Sequence, residues 1–179
     1  MMFRRMLRAA KLDVSLYEEV EADQGATIEA MGVVLLSNLA AGIGMISTVG
    51  GIGFVGGAIA ALAGWIVWAS LTFFIGTKLL PEPQTQSNMG ELLRTIGFSS
   101  SPGVIRVLGI FHPAVAAFLG IASSLWMLVT MVIAVRQALD YQSTGRAVGV
   151  VLIGWVVQLL VFGGLYALIV GMTAGPGAP

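Results

Sequence analysis

The chain contains a single histidine, His112, and no cysteine. Without thiols there are no disulfides, thiolate metal sites, iron–sulfur clusters or cysteine nucleophiles. One histidine cannot supply a two-histidine haem site. His112 could ligate one haem or chlorophyll magnesium, or serve as a polar residue at a helix break before Pro113. A Ser–His–Asp set would need an acid brought to that histidine, and no acid lies within an apolar run, so a triad is not supported. Gly51-Ile52-Gly53-Phe54-Val55-Gly56 fits G-x-G-x-x-G. That pattern means dinucleotide binding only between a strand and a helix, with an acid about twenty residues on. Here the next acid is Glu82, and the glycines read as a tight turn. Arg106 stands alone in an apolar stretch, where a charge must face protein, water or a lipid phosphate, or snorkel to the interface. Arg136 and Asp140 are four residues apart, hence on one helix face, and can pair.

The elements that carry these residues are set by composition. Apolar residues make up 57% of the chain and charged residues 10%, against about 25% charged in a soluble domain. So few charges cannot coat a water-exposed surface, but a bilayer removes that need. The expected fold class is all-α, an integral membrane helical bundle. Uncharged runs at 30–48, 55–77, 114–135 and 147–172 are each long enough to cross; the first covers roughly 28 Å as a helix. Gly53 with Gly57 and Gly145 with Gly149 form small-xxx-small pairs suited to close helix packing. The formal net charge is zero, which gives no case for nucleic acid.

Residues 1–29 hold more than half of the charges, and Phe3, Met6, Leu7, Ala10, Val14 and Tyr17 recur at helical spacing. This segment is expected to be an amphipathic helix, either lying at the membrane surface or packed on the rest of the protein. No apolar run precedes Asp13, so no cleavable signal peptide is expected. A short amphipathic helix is expected at 88–98. Residues 103–111, apolar except for Arg106, make about 14 Å of α-helix, too short to cross alone. Basic residues stand at Lys78, Arg94, Arg136 and Arg146, with none at 48–54 or in the tail. The positive-inside rule then favours five membrane segments, the third short or re-entrant, with the N-terminus cytoplasmic and the C-terminus outside. The domain reading is an interfacial segment 1–29, a membrane domain 30–172 and a flexible tail 173–179.

The stretch from Leu92 to Gln158 resembles the bacterial branch of the Yip family, the Ypt-interacting membrane proteins. The resemblance rests on Arg94, Gly97, Phe98 and Pro102, then Pro113, Trp126, Arg136, Gln137, Ala138, Leu139 and Asp140, followed by Ser143, Thr144, Arg146 and Ala147. Leu12-Asp13 through Tyr17 and Asp23 to Ala30 add a looser match. The resemblance implies five membrane segments and no catalytic activity. Eukaryotic members are associated with Rab-type GTPases through a longer hydrophilic N-terminal region; with about thirty residues here, GTPase binding does not carry over.

These readings point to a non-enzymatic protein of the bacterial inner membrane with no cofactor. It would act as a scaffold, an accessory subunit of a larger complex or a membrane-organising protein. Its partners would be membrane lipids and other integral membrane proteins or a second copy. Arg106, His112, Arg136 and Asp140 are the candidate lipid or partner contacts. The alternatives are a small transporter or channel, for which the breaks at Ser101–Pro102 and His112–Pro113 speak, and a pigment- or redox-complex subunit with His112 as ligand.

Overall fold

The structure is a computed structural model that describes residues 1–45 and 54–173. Its elements are α1 (Met2–Ala10), α2 (Val14–Ala22), α3 (Ala26–Gly44), α4 (Phe54–Phe74) with a π turn at Ile75–Leu79, α5 (Met89–Ser99), a 3-10 segment (Ser101–Phe111), α6 (Pro113–Ala138) and α7 (Thr144–Thr173). Four helices are long and apolar enough to cross a membrane: Ala26–Gly44, Gly57–Leu79, Pro113–Ala138 and Thr144–Val161. The expected tail and the turn containing Gly53 lie outside the described residues, apart from Thr173.

The N-terminal segment is two helices rather than one. The chain reverses at Leu12, whose φ is +63°, with Leu12 N–H donating to the Ala9 carbonyl and Asp13 N–H to that of Arg8. These two bonds make a Schellman closure of α1. Asp13 then caps α2 by accepting from Ser15 N–H at 3.1 Å, which satisfies an orphan donor of the new helix. Met6 and Ala9 face the bundle while Phe3 and Leu7 face outward. The apolar stripe is therefore split between packing on the protein and exposure to the surroundings.

The third segment is a short α-helix, α5, continued by a 3-10 helix. Helix α5 opens with a capping box, in which Asn88 accepts from Glu91 N–H and the Glu91 side chain accepts from Asn88 N–H. Its break at Ser100 leaves carbonyls free. Ser101 Oγ–H donates to the Phe98 carbonyl at 2.6 Å and Thr130 Oγ1–H to that of Ser99 at 2.7 Å, as a broken helix within a bundle requires. The chain then continues as a 3-10 helix with a rise of about 2.0 Å per residue, so its eleven residues reach roughly 22 Å.

Close backbone contacts fix the direction of this segment. A Cβ on Gly97 would sit 2.7 Å from that of Ala30, one on Gly103 would run into Ser37 Oγ, and one on Gly44 into the Arg106 carbonyl. Positions 97, 103 and 106 thus follow 30, 37 and 44 in order, so the segment runs parallel to α3. Against α6 it runs the other way, since Ser99 meets Thr130, Arg106 meets Ser123, and a Cβ on Gly109 would lie 2.8 Å from Ala116 Cα. The α5 and 3-10 pair therefore travels from the end of the bundle that carries α2 to the opposite end, as a fifth segment.

Side-chain burial is concentrated near the end that carries α2. Leu16, Tyr17, Val20, Ala26, Ala30, Leu92, Ile96, Phe98, Val135 and Leu139 pack there. Farther along, the spans keep large apolar residues on the outside, among them Phe118, Ile121, Leu125, Trp155 and Leu159. That is the arrangement expected where lipid replaces water as the solvent.

Candidate functional site

Polar chemistry gathers in two places, a charged layer at the α2 end of the bundle and a single arginine within it. In the charged layer, Arg5 on α1 is 3% exposed. Its Nε donates to Glu19 at 2.9 Å, Nη2 to Asp23 at 2.8 Å and Nη1 to Glu29 at 3.1 Å. One fork of donors thus ties α1 to α2 and to the start of α3. Arg8 pairs with Asp13 at 2.7 Å and with Glu19. These arginines hold the Glu19 carboxyl below its ordinary range, Arg8 contributing most.

Arg94 is also buried. Its Nε donates to the Val20 carbonyl at 2.8 Å and its Nη2 to that of Glu21. A cation on the last-turn carbonyls of α2 satisfies orphan acceptors and complements the helix dipole. Next to it the half-buried Glu21 carboxyl is pushed up to about 7, first by burial and then by Glu91 and Asp140. Trp126 Nε1–H reaches the Ala10 carbonyl at 2.8 Å, and Gln137 reaches Glu18 at 3.1 Å. The α1–α2 hairpin is thus a cap fastened to the bundle at several points.

Asp140 does not pair with Arg136. Helix α6 ends at Ala138, and Asp140 takes a left-handed φ of +53°, a conformation Asp tolerates better than most residues. Asp140 N–H donates to the Gln137 carbonyl and Tyr141 N–H to that of Arg136, both at 2.9 Å, a second Schellman closure. The two residues therefore leave the common helix face that a four-residue spacing implies. Arg136 Nε instead donates to the Tyr141 carbonyl at 3.2 Å.

The same turn positions Tyr141, whose hydroxyl lies 2.8 Å from the Gly76 carbonyl and 2.7 Å from that of Leu80. These are acceptors at the π turn. Glu82 fastens the other side of this loop, accepting from Gln142 N–H at 2.9 Å and Ser143 N–H at 3.2 Å. Those bonds, Gln142 foremost, hold its carboxyl below the ordinary range.

Arg106 stands apart. Its Nε donates to Ser123 Oγ at 2.6 Å and its Nη2 to Ser124 Oγ at 2.9 Å. Both serines lie near the middle of α6, so the side chain stops inside the bundle and does not snorkel to the charged end. Each serine hydroxyl donates to the Gly120 carbonyl, leaving its lone pairs to receive the guanidinium. A cavity of about 640 Å³ opens beside Arg106, walled by Ala41, Gly44, Ala116, Ala117, Gly120 and Leu125. A second, of about 370 Å³, touches Arg106 from the α4 and α7 side and includes Asn38, Ser100 and Gln158.

His112 is exposed at the far end, and its Nδ1 accepts from Ala114 N–H at 3.1 Å, which caps α6. Of the glycines expected to pack helices, Gly57 faces open space, Gly145 meets only Ser143, and Gly149 makes an ordinary contact with Leu80. Among the described residues the tightest approaches fall at Gly44, Gly76, Gly97, Gly103 and Gly109. Sequence spacing did not point to Arg5, Glu82 or Arg94 as fastening residues. The one available signal for Arg5 was its place among acids at 13–29, which a folded hairpin can bring together.

A family model described as Yip1 domain matches residues 22–165. The match begins at the last residue of α2 and runs through the third segment and α6 into α7. No curated protein and no solved structure matches the chain.

Proposed function

The chain belongs to the Yip1 domain family, and from that premise we propose that this multi-pass membrane protein has no catalytic centre and acts as a scaffold, accessory subunit or membrane-organising protein. The observation that carries this reading is how its polar groups are spent. Arg5, Arg8, Arg94, Glu82 and Tyr141 are bound to partners within the chain, so they hold shape rather than face a reactant. The outward faces are apolar, including Phe3 and Leu7 of the cap and Trp155 and Leu159 of α7. Surfaces of that kind meet lipid or other membrane helices.

Lys78, Arg94, Arg136 and Arg146 lie toward one end of the bundle, which supports placing that end in the cytoplasm and the end of α7 outside. The composition and the resemblance support a bacterial inner membrane. Purification in mild detergent, read by mass spectrometry and an absorbance scan, tests the role. A defined oligomer or a stoichiometric membrane partner is the expected result, and a lone monomer with catalytic turnover would sink the proposal.

One observation favours a second reading, a small transporter or channel. Arg106 sits in a broken segment with a cavity on either side, a feature of midplane transport sites. Liposome flux that is lost in Arg106→Ala would put this reading first.

A further inference from the structure

Among the described residues, Arg106 is a charge without a counter-charge. All nine acidic residues of the chain lie in the described parts, and none comes within ion-pair distance of Arg106. Among the described residues, two of the five guanidinium N–H groups find acceptors, both neutral serine hydroxyls. A cation inside a membrane span is costly unless it finds a partner, and planar guanidinium favours the paired oxygens of a phosphate or carboxylate. The cavity beside it is of a size that holds a small ligand, roughly 300–1,000 Å³. Its walls are small apolar residues, so the space is built in rather than left by a missing side chain. Ile121 and Leu125 on its rim face outward, so the cavity opens sideways to lipid.

We infer that Arg106 and this cavity form a binding site for a phospholipid with a net negative headgroup. The phosphate meets the free N–H groups of Arg106, and an acyl chain lies against the apolar wall of α3 and α6. Ser123 and Ser124 hold the guanidinium in place because their own protons are committed to the Gly120 carbonyl. The depth of the site supports a lipid as occupant, since an arginine at that level draws headgroups inward by local thinning of the bilayer. The inference shares with the scaffold proposal only the premise that the bundle lies in a bilayer.

The test titrates the full chain in mild detergent with phosphatidylglycerol or phosphatidylcholine and counts bound lipid by native mass spectrometry, with inorganic phosphate as competitor. Phosphatidylglycerol is expected to bind in preference to phosphatidylcholine, and Arg106→Gln to weaken it by about tenfold or more, the loss expected for one charge-assisted hydrogen bond. Gly120→Leu keeps the charge and projects a side chain into the cavity, since a Cβ there meets nothing within 4 Å; it is expected to block binding while the tryptophan fluorescence of the fold is unchanged. Equal binding by folded Arg106→Gln would overturn the inference. So would a site that Gly120→Leu leaves intact and that inorganic phosphate fills alone, because that would be a free-anion site. Neither failure touches co-purification of a protein partner.

Discussion

Replacing Gly97 with alanine tests the contact that sets the course of the third segment. A helix interior ordinarily gains about 1 kcal/mol from Gly→Ala. Here the new Cβ would lie 2.7 Å from Ala30 Cβ and 3.2 Å from Ala30 Cα and its carbonyl oxygen. Those atoms belong to a fully buried position on a helix and cannot rotate away, so α5 must retreat by nearly 1 Å. Overpacking of this kind costs about 1–3 kcal/mol, which set against the helix gain leaves a net loss of up to about 2 kcal/mol. The midpoint of thermal unfolding should fall by up to about 8 °C for a chain of this length. Gly64→Ala is the matched control, because its Cβ meets nothing within 4 Å and it should be neutral or stabilising. Adding Ala30→Gly to Gly97→Ala removes the nearest clash and should recover part of the loss, giving a coupling of about 1 kcal/mol. Unfolding in mild detergent can be followed by tryptophan fluorescence. A Gly97→Ala variant as stable as the unaltered chain, with no coupling to Ala30→Gly, would refute the reasoning.

Three further outcomes follow from the cap. Arg5→Met leaves Glu19 and Glu29 without their buried cation and should loosen the α1–α2 hairpin by about 2 kcal/mol, less than for a fully buried pair because those carboxylates stay partly hydrated; limited proteolysis near Lys11 should speed up. The Glu21 carboxyl is pushed up to about 7 in the folded chain, so its ionisation opposes the fold once the pH passes the ordinary carboxylate range, and the cost is complete above that value. Glu21→Gln should therefore stabilise the cap more at pH 8 than at pH 5, as read by amide exchange, and an equal gain at both would contradict the cause given. Tyr17 carries a buried hydroxyl with no hydrogen-bond partner among the described residues, so Tyr17→Phe should be neutral or stabilise by about 1 kcal/mol in the same unfolding assay.

The spans were legible because hydrophobicity alone defines them. The runs at 30–48, 55–77, 114–135 and 147–172 correspond to α3, α4 with its π turn, α6 and α7. Their edges shifted where charge is neutralised in the fold, as at Glu29, which enters α3 in contact with Arg5. The third segment was legible as an element but not in its path. At an α-helical rise residues 103–111 fall short of a crossing, and only the 3-10 rise together with α5 gives the length. That geometry depends on Gly97, Gly103 and Gly109 meeting particular residues of α3 and α6, which spacing within one segment cannot reveal. Arg106 stood out because a lone charge in an apolar run is a local signal. Arg5 and Arg94 did not, because their acceptors on α2 lie 14 and 74 residues away, at Glu19 and Val20 respectively. The Arg136–Asp140 pair that the spacing allows does not form because the helix stops between them.

The most direct test of the account is the sidedness of the third segment, on which both the five-segment bundle and the depth of Arg106 depend. The chain has no cysteine, so single cysteines at Gln86, Phe111 and Gln142, all exposed, can be labelled with a membrane-impermeant thiol reagent in oriented vesicles. The account predicts that Gln86→Cys and Gln142→Cys react from one side and Phe111→Cys from the other. Labelling of all three from the same side would mean that the segment turns back within the membrane, and the architecture described would be wrong.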